Sequence, residues 1–393
     1  MPTQQAYITP SVLKWARQRC SLSIEQAAAK VPTRPEQLAS WEHGESEAKP
    51  TFRQAQRLAH ILHVPFGYLF LSSPPSQTVL LPDLRTVADD QRNSFSPDFL
   101  ELLNDVLLKQ HWIREYRETE LCQRLQFVGK FSPHDRENNI ASDMSEVLGI
   151  NDAFRQEALN WKDFLVRLIA NVENLGVLVL RSGIVKNDTH RKLSVDEFRG
   201  FVIKDELAPL VFINGNDSRA AQIFTLIHEL AHLWVGESGI SNLDLGNRQL
   251  SASQNIERLC NRVAAEVLVP ESSFLQEWHS GTRISENLAR LTRIYRVSSL
   301  VILRRALDLE RLTWPKYLAH YQDEKEKYQR REARVESAGG NFYATLGSRN
   351  SKQLIRAVLS QTLEGRLLHR DAARLLSVKV EKLGRVATEF DVR

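Results

Sequence analysis

The sequence predicts a multidomain protein that is mainly α-helical and contains one small β-sheet. Its 393 residues leave room for about two to four domains of ~100–200 residues each. The hydrophobic fraction of 42% and the charged fraction of 25% are ordinary for globular proteins, which excludes a disordered or collagen-like chain. Apolar residues recur at three- and four-residue steps through most of the chain and predict helices, whereas Val- and Leu-rich runs between residues 175 and 214 predict strands.

Residues 1–74 are predicted to form a compact domain of five short helices. Pro32, Gly44 and Pro50 separate these helices, and each helix has a single apolar face. The predicted helices are Thr9–Arg19, Ser23–Lys30, Thr33–Trp41, Thr51–His63 and Pro65–Leu71. The stretch SSPPSQ at residues 72–77 cannot continue a helix and is typical of a linker.

A helical connecting region is predicted over residues 75–140. Within it, Ser96–Arg117 is expected to be helical, because SPDF supplies an N-cap and apolar residues follow at helical spacing. The next domain is predicted over residues 141–312. It opens with helices at about 142–148 and 152–174.

The predicted sheet belongs to this second domain. Residues 175–181, LGVLVLR, predict a buried strand, and the strands FRGFVI (198–203) and APLVFIN (208–214) have a short polar connection that predicts a hairpin. The side chains of Asn216–Ser218 can cap a helix that is predicted from about 219 to 236. Further helices are predicted at about 253–267, 285–295 and 298–309.

The last predicted region, residues 313–393, is helical and basic. From Lys316 onwards, 16 Lys/Arg residues face 10 Asp/Glu residues. Such a charge run is most often a solvated helix face. Residues 369–387 fit either a second helix-turn-helix or a plain helical hairpin, and the pattern leaves both interpretations open.

Composition also limits the partners and the cellular location. The net charge of +4, from 52 Lys+Arg against 48 Asp+Glu, is too weak to establish a nucleic-acid partner. Because no apolar stretch approaches the ~18–20 residues needed to cross a bilayer and the N-terminus lacks a signal region, we expect a cytoplasmic protein with no membrane partner. Cys20, Cys122 and Cys260 lie far apart without CxxC spacing, which argues against a disulfide framework and a thiolate zinc cluster.

The strongest functional signal is HELAH, His228–His232, inside the predicted helix 219–236. Residues four apart lie on one helical face, so both imidazoles can bind one ion at the ~2.0–2.1 Å typical of zinc–nitrogen bonds. Glu229 is placed to accept a proton from water rather than to bind the ion. The motif occurs by accident in roughly one chain in fifty of this composition, so a chance sequence on an apolar core helix remains an alternative.

A catalytic zinc site needs a third protein ligand and an open position. Glu257 lies on the next predicted helix, and Asn261 shares its face, so that Asn261 could hydrogen-bond a ligand imidazole. Glu266 is a competing carboxylate on the same helix. It is nine residues after Glu257 and therefore half a turn away in azimuth, which favours Glu257 as the ligand.

The order hairpin, HELAHLWVGESGIS, ExxxN and AAEVLVP resembles the ImmA/IrrE family of zinc metallopeptidases, a gluzincin-like group. The resemblance covers about 140–310 and implies a central α+β zincin domain with Zn²⁺ bound by His228, His232 and Glu257. It also implies that Glu229 is the general base of a zinc metalloendopeptidase. The best-understood members of this family cut a repressor and so release genes of mobile elements or stress responses, and we expect a protein substrate of that kind.

The segments SIEQAAAKV, LASWEHGE and PTFRQAQRLAHILHVPFGYLF within residues 9–71 resemble the Cro/repressor type of helix-turn-helix found in xenobiotic-response-element-like regulators. In that fold, the second helix of the motif enters the major groove of DNA. The candidate DNA contacts are Arg34, Gln37, Ser40, Arg53 and Arg57. Residues 1–75 carry 8 Lys/Arg against 5 Asp/Glu, a modest excess, so binding to operator DNA and a docking or homodimer role both stay open.

Two functions from different classes therefore remain. One is an endopeptidase coupled to a DNA-binding-type domain that controls transcription. The other is a helix-turn-helix regulator whose zinc domain senses metal or ligand without proteolysis. For the endopeptidase, His190, His279 and Tyr295 are candidate donors to the tetrahedral intermediate, and we expect an extended substrate to pair with the open edge of the 198–214 hairpin.

Overall fold

The computed structural model describes residues 4–20, 22–45, 49–75, 95–241, 252–332 and 341–392. The described residues form two compact units, one from 4–75 with 95–101 and one from residue 102 onwards. The predicted fold class is confirmed, because helices predominate and the strands form one small mixed sheet with a short additional hairpin. None of the helices in these ranges is long and apolar enough to span a membrane. The division into four domains stays a prediction.

The first unit contains the predicted N-terminal helical domain. Its α-helices are α1 (Pro10–Arg19), α2 (Ile24–Lys30), α3 (Pro35–His43) and α4 (Phe52–Ile61). The fifth predicted helix is a 3-10 helix at Phe66–Phe70, so its type differs from the prediction. Ser23 and Thr51 begin α2 and α4 with capping boxes, which satisfy backbone N–H groups that the helices themselves leave unpaired. The core of this unit includes Leu13, Ala27, Leu38, Trp41 and Leu58.

Helix α5 (Pro97–Thr119) begins at its predicted cap, where Ser96 Oγ accepts a hydrogen bond from the Phe99 N–H at 3.1 Å. The following helices are α6 (Glu137–Leu148), α7 (Asp152–Glu157) and α8 (Trp161–Asn174). A single helix over 152–174 was therefore the wrong prediction. The backbone is extended at Ala158, and the Asn160 side chain caps α8 by accepting from the Asp163 N–H.

The sheet of the second unit has four strands in the order β1-β5-β4-β6, and β2 pairs with β3 in a separate hairpin. The strands are β1 (Leu178–Ser182), β2 (Ile184–Val185), β3 (Asp188–Lys192), β4 (Gly200–Ile203), β5 (Leu210–Asn214) and β6 (Gly239–Ser241). Strands β4 and β5 pair antiparallel with Gly200 opposite Ile213, which confirms the predicted hairpin. The sequence did not predict β2, β3 or β6, because β2 and β6 are very short and β3 is polar.

Two helices carry the candidate site. Helix α9 (Arg219–Val235) follows β5, begins at the predicted cap Ser218, and packs against β4 and against α10 (Ala252–Leu268). Its side chains are buried on almost every side, as expected for a helix enclosed between a sheet and another helix. The remaining helices are α11 (Glu271–Glu277), α12 (Ile284–Tyr295), α13 (Ser299–Asp308), α14 (Trp314–Glu332), α15 (Phe342–Asn350), α16 (Lys352–Leu363), α17 (His369–Leu376) and α18 (Leu383–Glu389).

The C-terminal helices pack on the second unit through polar contacts as well as apolar ones. Helix α15 lies against β1, where Arg181 Nε donates a hydrogen bond to Ser348 Oγ at 3.0 Å. The start of α16 is held by Glu173 of α8, whose carboxylate accepts hydrogen bonds from the Ser351 hydroxyl and the Lys352 N–H. This region is therefore more than a solvated charged tail.

Candidate metal centre

His228 and His232 of α9 and Glu257 of α10 form one buried cluster. The two imidazole Nε2 atoms are 3.1 Å apart. Glu257 Oε2 is 3.1 Å from His228 Nε2, and Glu257 Oε1 is 3.1 Å from His232 Nε2. In the part of the chain that the structure describes, no other group of three His, Cys, Asp or Glu side chains brings its ligand atoms so close together.

Helix geometry explains why this cluster forms. The two histidines are four residues apart and so lie one turn apart on the same face of α9. That face meets α10, which presents Glu257 to both imidazoles. Because α9 is enclosed by β4 and α10, the side chains have little freedom to separate.

The chemistry of the donors fits a zinc ion. Two imidazole nitrogens and one carboxylate are a donor set that Zn²⁺ prefers and that leaves a position for water. Burial acts to raise the pKa of the Glu257 carboxyl, but attraction to His228 and His232 holds it well below its usual range. Burial lowers the pKa of His228. For Glu257 the carboxylate and for His228 the neutral imidazole are the protonation states that bind a metal.

Glu266 lies in a different environment from Glu257. Its carboxylate is ion-paired with Arg305 of α13 and accepts a hydrogen bond from the Glu271 N–H at 3.1 Å. Arg305 is itself buried and also donates to the Val269 carbonyl. The structure therefore brings Glu257, and not Glu266, to the two histidines.

Each histidine has a polar neighbour on α10. Asn261 lies beside His228, and its effect opposes burial without preventing the lowered pKa of that imidazole. Cys260 lies beside His232, and the pKa of that imidazole is raised despite its burial because the Glu257 carboxylate lies against it. The sequence interpretation singled out Asn261 but missed Cys260. Its position three residues after Glu257, on nearly the same helical face, was the available signal.

Glu229 is fully buried and lies against the sheet. A carbon atom added to Gly200 of β4 would be 2.8 Å from Glu229 Oε1. The side chain that the motif proposes as a base therefore lies against strand β4.

The three candidate donors to a tetrahedral intermediate are not brought into this cluster. His279 and His190 are exposed, and the His279 backbone N–H donates to Asn287. Tyr295 is buried, but its hydroxyl hydrogen-bonds with Ser273 at 2.8 Å.

The prediction that a substrate pairs with an open edge of the β4–β5 hairpin is wrong. Strand β5 lies between β1 and β4, and the other side of β4 pairs with β6, where Gly200 is opposite Ser241. The hairpin therefore has no open edge. This could not be seen from the sequence, because a three-residue strand such as β6 has no recognisable alternation.

The candidate DNA contacts lie at the start of α3, on α3 and on α4. Arg34 precedes α3 and is exposed, and Arg53 and Arg57 are exposed on α4. Gln37 and Ser40 are half-buried on α3, where Ser40 Oγ donates to the Gln37 carbonyl at 2.8 Å. Their role in binding DNA stays a prediction.

The described residues thus combine an N-terminal helical domain with an α+β domain that holds a buried cluster of two histidines and a glutamate. Residues 172–307 match the family model of the IrrE N-terminal-like domain, peptidase family M78, and residues 13–69 match a helix-turn-helix family model. The protein therefore contains an ImmA/IrrE-type metallopeptidase domain and an N-terminal Cro/C1-type helix-turn-helix. Residues 350–389 match a domain of unknown function, DUF8813. A search of curated proteins found no match.

Proposed function

We propose that this protein is a zinc-dependent endopeptidase that cleaves a regulatory protein such as a repressor, and that its helix-turn-helix domain links this cleavage to transcription of a mobile element or a stress response. The observation that supports the proposal most directly is the buried cluster of His228, His232 and Glu257, with mutual distances of 3.1 Å.

Zn²⁺ would be held by His228, His232 and Glu257, with Asn261 and Cys260 orienting the two imidazoles from α10. Zinc, when bound, polarises a peptide carbonyl and lowers the pKa of a water molecule so that it can attack near neutral pH. The Glu229 carboxylate accepts the proton of the attacking water and later passes it to the leaving amine nitrogen. Burial of Glu229 keeps bulk water from competing for that proton.

Operator DNA would be contacted by side chains of the helix-turn-helix domain. The proposed contacts are Arg34, Gln37, Ser40, Arg53 and Arg57. Residues 1–75 carry only 3 more basic than acidic side chains, so a single domain would bind phosphates weakly. A homodimer would place two such domains on adjacent half-sites and double these contacts.

The test is a cleavage assay with the full-length, zinc-loaded protein. In the family that this chain resembles, the peptidase and its repressor target are commonly encoded together. The substrate to test is therefore a regulator protein encoded beside the gene of this protein. We expect mass spectrometry to show one defined cut, and the Glu229→Gln variant to make that cut roughly 10²–10⁴-fold more slowly. If the regulator stays intact while binding to operator DNA depends on zinc, the protein is instead a metal-sensing regulator.

A further inference from the structure

We infer that Gly200 is a positioning residue for Glu229, because the absence of a side chain in β4 is what allows the Glu229 carboxylate to lie against the strand. This inference deepens the proposed function and rests on it, since the importance of the position depends on Glu229 acting as the base.

The requirement for glycine at this position comes from space and not from backbone conformation. Gly200 lies in a regular strand that pairs with Ile213 on one side and Ser241 on the other, and its φ is outside the left-handed region that favours glycine. A Cβ atom added there would be 2.6 Å from Thr225 Cγ2, 2.8 Å from Glu229 Oε1 and 3.1 Å from the Phe212 carbonyl oxygen. All three distances are shorter than ordinary van der Waals contact.

The three groups that an added Gly200 Cβ would contact differ in how far they can move. The Phe212 carbonyl belongs to β5, which is the central neighbour of β4 in the sheet. Helix α9 as a whole is enclosed by the sheet and α10, and it also carries His228 and His232. An added methyl group would therefore be accommodated mainly by the Thr225 and Glu229 side chains, which are four residues apart on the same face of α9. Rotation of Glu229 would then move the base away from the reacting atoms.

Three variants separate this role from simple packing. Gly200→Ala introduces all three contacts, with Thr225, Glu229 and the Phe212 carbonyl. Gly200→Ala with Thr225→Ser removes the closest contact, because serine lacks the Thr225 methyl group, but keeps the contact with Glu229. Gly384→Ala is the matched control, since an added Cβ there meets nothing within 4 Å.

We expect Gly200→Ala to keep its zinc, to melt at a lower temperature and to lose roughly 100-fold in kcat on the neighbouring regulator with little change in KM, which is the effect of a misplacement of about 1 Å. The double variant should recover much of the melting temperature but not kcat. Gly384→Ala should match the wild type in kcat and KM. If kcat recovers together with stability in the double variant, or if Gly200→Ala keeps full kcat, the inference is overturned.

A second readout does not depend on the substrate. Crystal structures of the zinc-loaded wild type and Gly200→Ala should show the Glu229 carboxylate displaced from β4 while His228, His232 and Glu257 keep their places. An unmoved carboxylate would overturn the inference. If the wild type fails to cleave the regulator, the proposed function fails, and this structural comparison still decides whether Gly200 positions Glu229.

Discussion

Glu266 is ion-paired with Arg305, and this pair holds the Glu266 carboxylate away from the imidazoles that Glu257 contacts. Both carboxylates lie on α10, nine residues apart, and so occupy opposite faces of that helix. One face meets α9 and its histidines, whereas Glu266 lies near α13 and the start of α11. The two glutamates should therefore respond differently to removal.

Glu257→Ala should lose bound zinc, whereas Glu266→Ala should keep it. Removing Glu266 leaves the buried Arg305 without its carboxylate, so we expect the free energy of unfolding to fall by about 1–3 kcal/mol in that variant. Elemental analysis measures the zinc, and urea unfolding measures the stability. The reverse order of metal contents would transfer the ligand role to Glu266.

Zinc should be present at about one ion per chain and should be lost in His232→Ala, because the remaining imidazole and carboxylate make a weak site. Removing zinc from the wild type with a chelator should lower its melting temperature. The free energy of unfolding should fall by about 2.7 kcal/mol relative to protein kept at a free zinc concentration 100 times the dissociation constant. A wild-type protein that cannot be reloaded with zinc, or full occupancy in His232→Ala, would contradict the ligand assignment.

Glu229→Gln should keep zinc and melt as the wild type does, while cleavage of the regulator falls by roughly 10²–10⁴-fold. The reason is that glutamine has nearly the same shape but cannot accept the proton. Retained proteolysis would exclude Glu229 as the base. Loss of zinc in this variant would mean that Glu229 is a ligand.

The two α10 neighbours of the histidines should have milder effects than the ligands. Asn261→Ala and Cys260→Ala are each expected to weaken zinc affinity roughly 10–100-fold, because the imidazole that each one contacts becomes less well oriented. Cys122→Ala is the control, since Cys122 is an exposed free thiol. Zinc affinities measured by competition with a chromogenic chelator should be lower for Asn261→Ala and Cys260→Ala than for Cys122→Ala. Equal zinc affinities for all three variants would show that Asn261 and Cys260 do not orient the imidazoles.

The central part of the site could be predicted from the sequence because its signals are local. The spacing of His228 and His232, and the half-turn between Glu257 and Glu266, follow from helix periodicity alone. Other features could not be predicted, because they depend on how distant segments pack. These are the pairing of β6 with β4 and the position of Cys260 beside His232. The break between α7 and α8 was not predicted from the sequence, because apolar residues continue through it. The Asn160 side chain, which caps α8, was the available signal.

The last prediction concerns Glu173 of α8, which hydrogen-bonds to the start of α16. Its carboxylate accepts hydrogen bonds from the Ser351 hydroxyl and the Lys352 N–H at the start of α16. Burial raises the pKa of Glu173 above its usual value, so the folded protein holds this proton more tightly than the unfolded chain. Its proton-linked stabilisation is therefore fully present below the unfolded pKa and is lost as the pH rises through the higher folded pKa.

Glu173→Ala should lower the free energy of unfolding by about 1–3 kcal/mol at pH 7, because the two donors at the start of α16 lose their buried acceptor. Glu173→Gln keeps an acceptor oxygen and does not titrate, so it should lose less at pH 7, and its stability relative to the wild type should rise from pH 4 to pH 7. Glu389→Ala, at an exposed position of α18, is the control and should match the wild type. Urea unfolding at several pH values measures all three variants. A Glu173→Gln variant whose stability follows the wild type in parallel over this range would show that Glu173 does not titrate with folding.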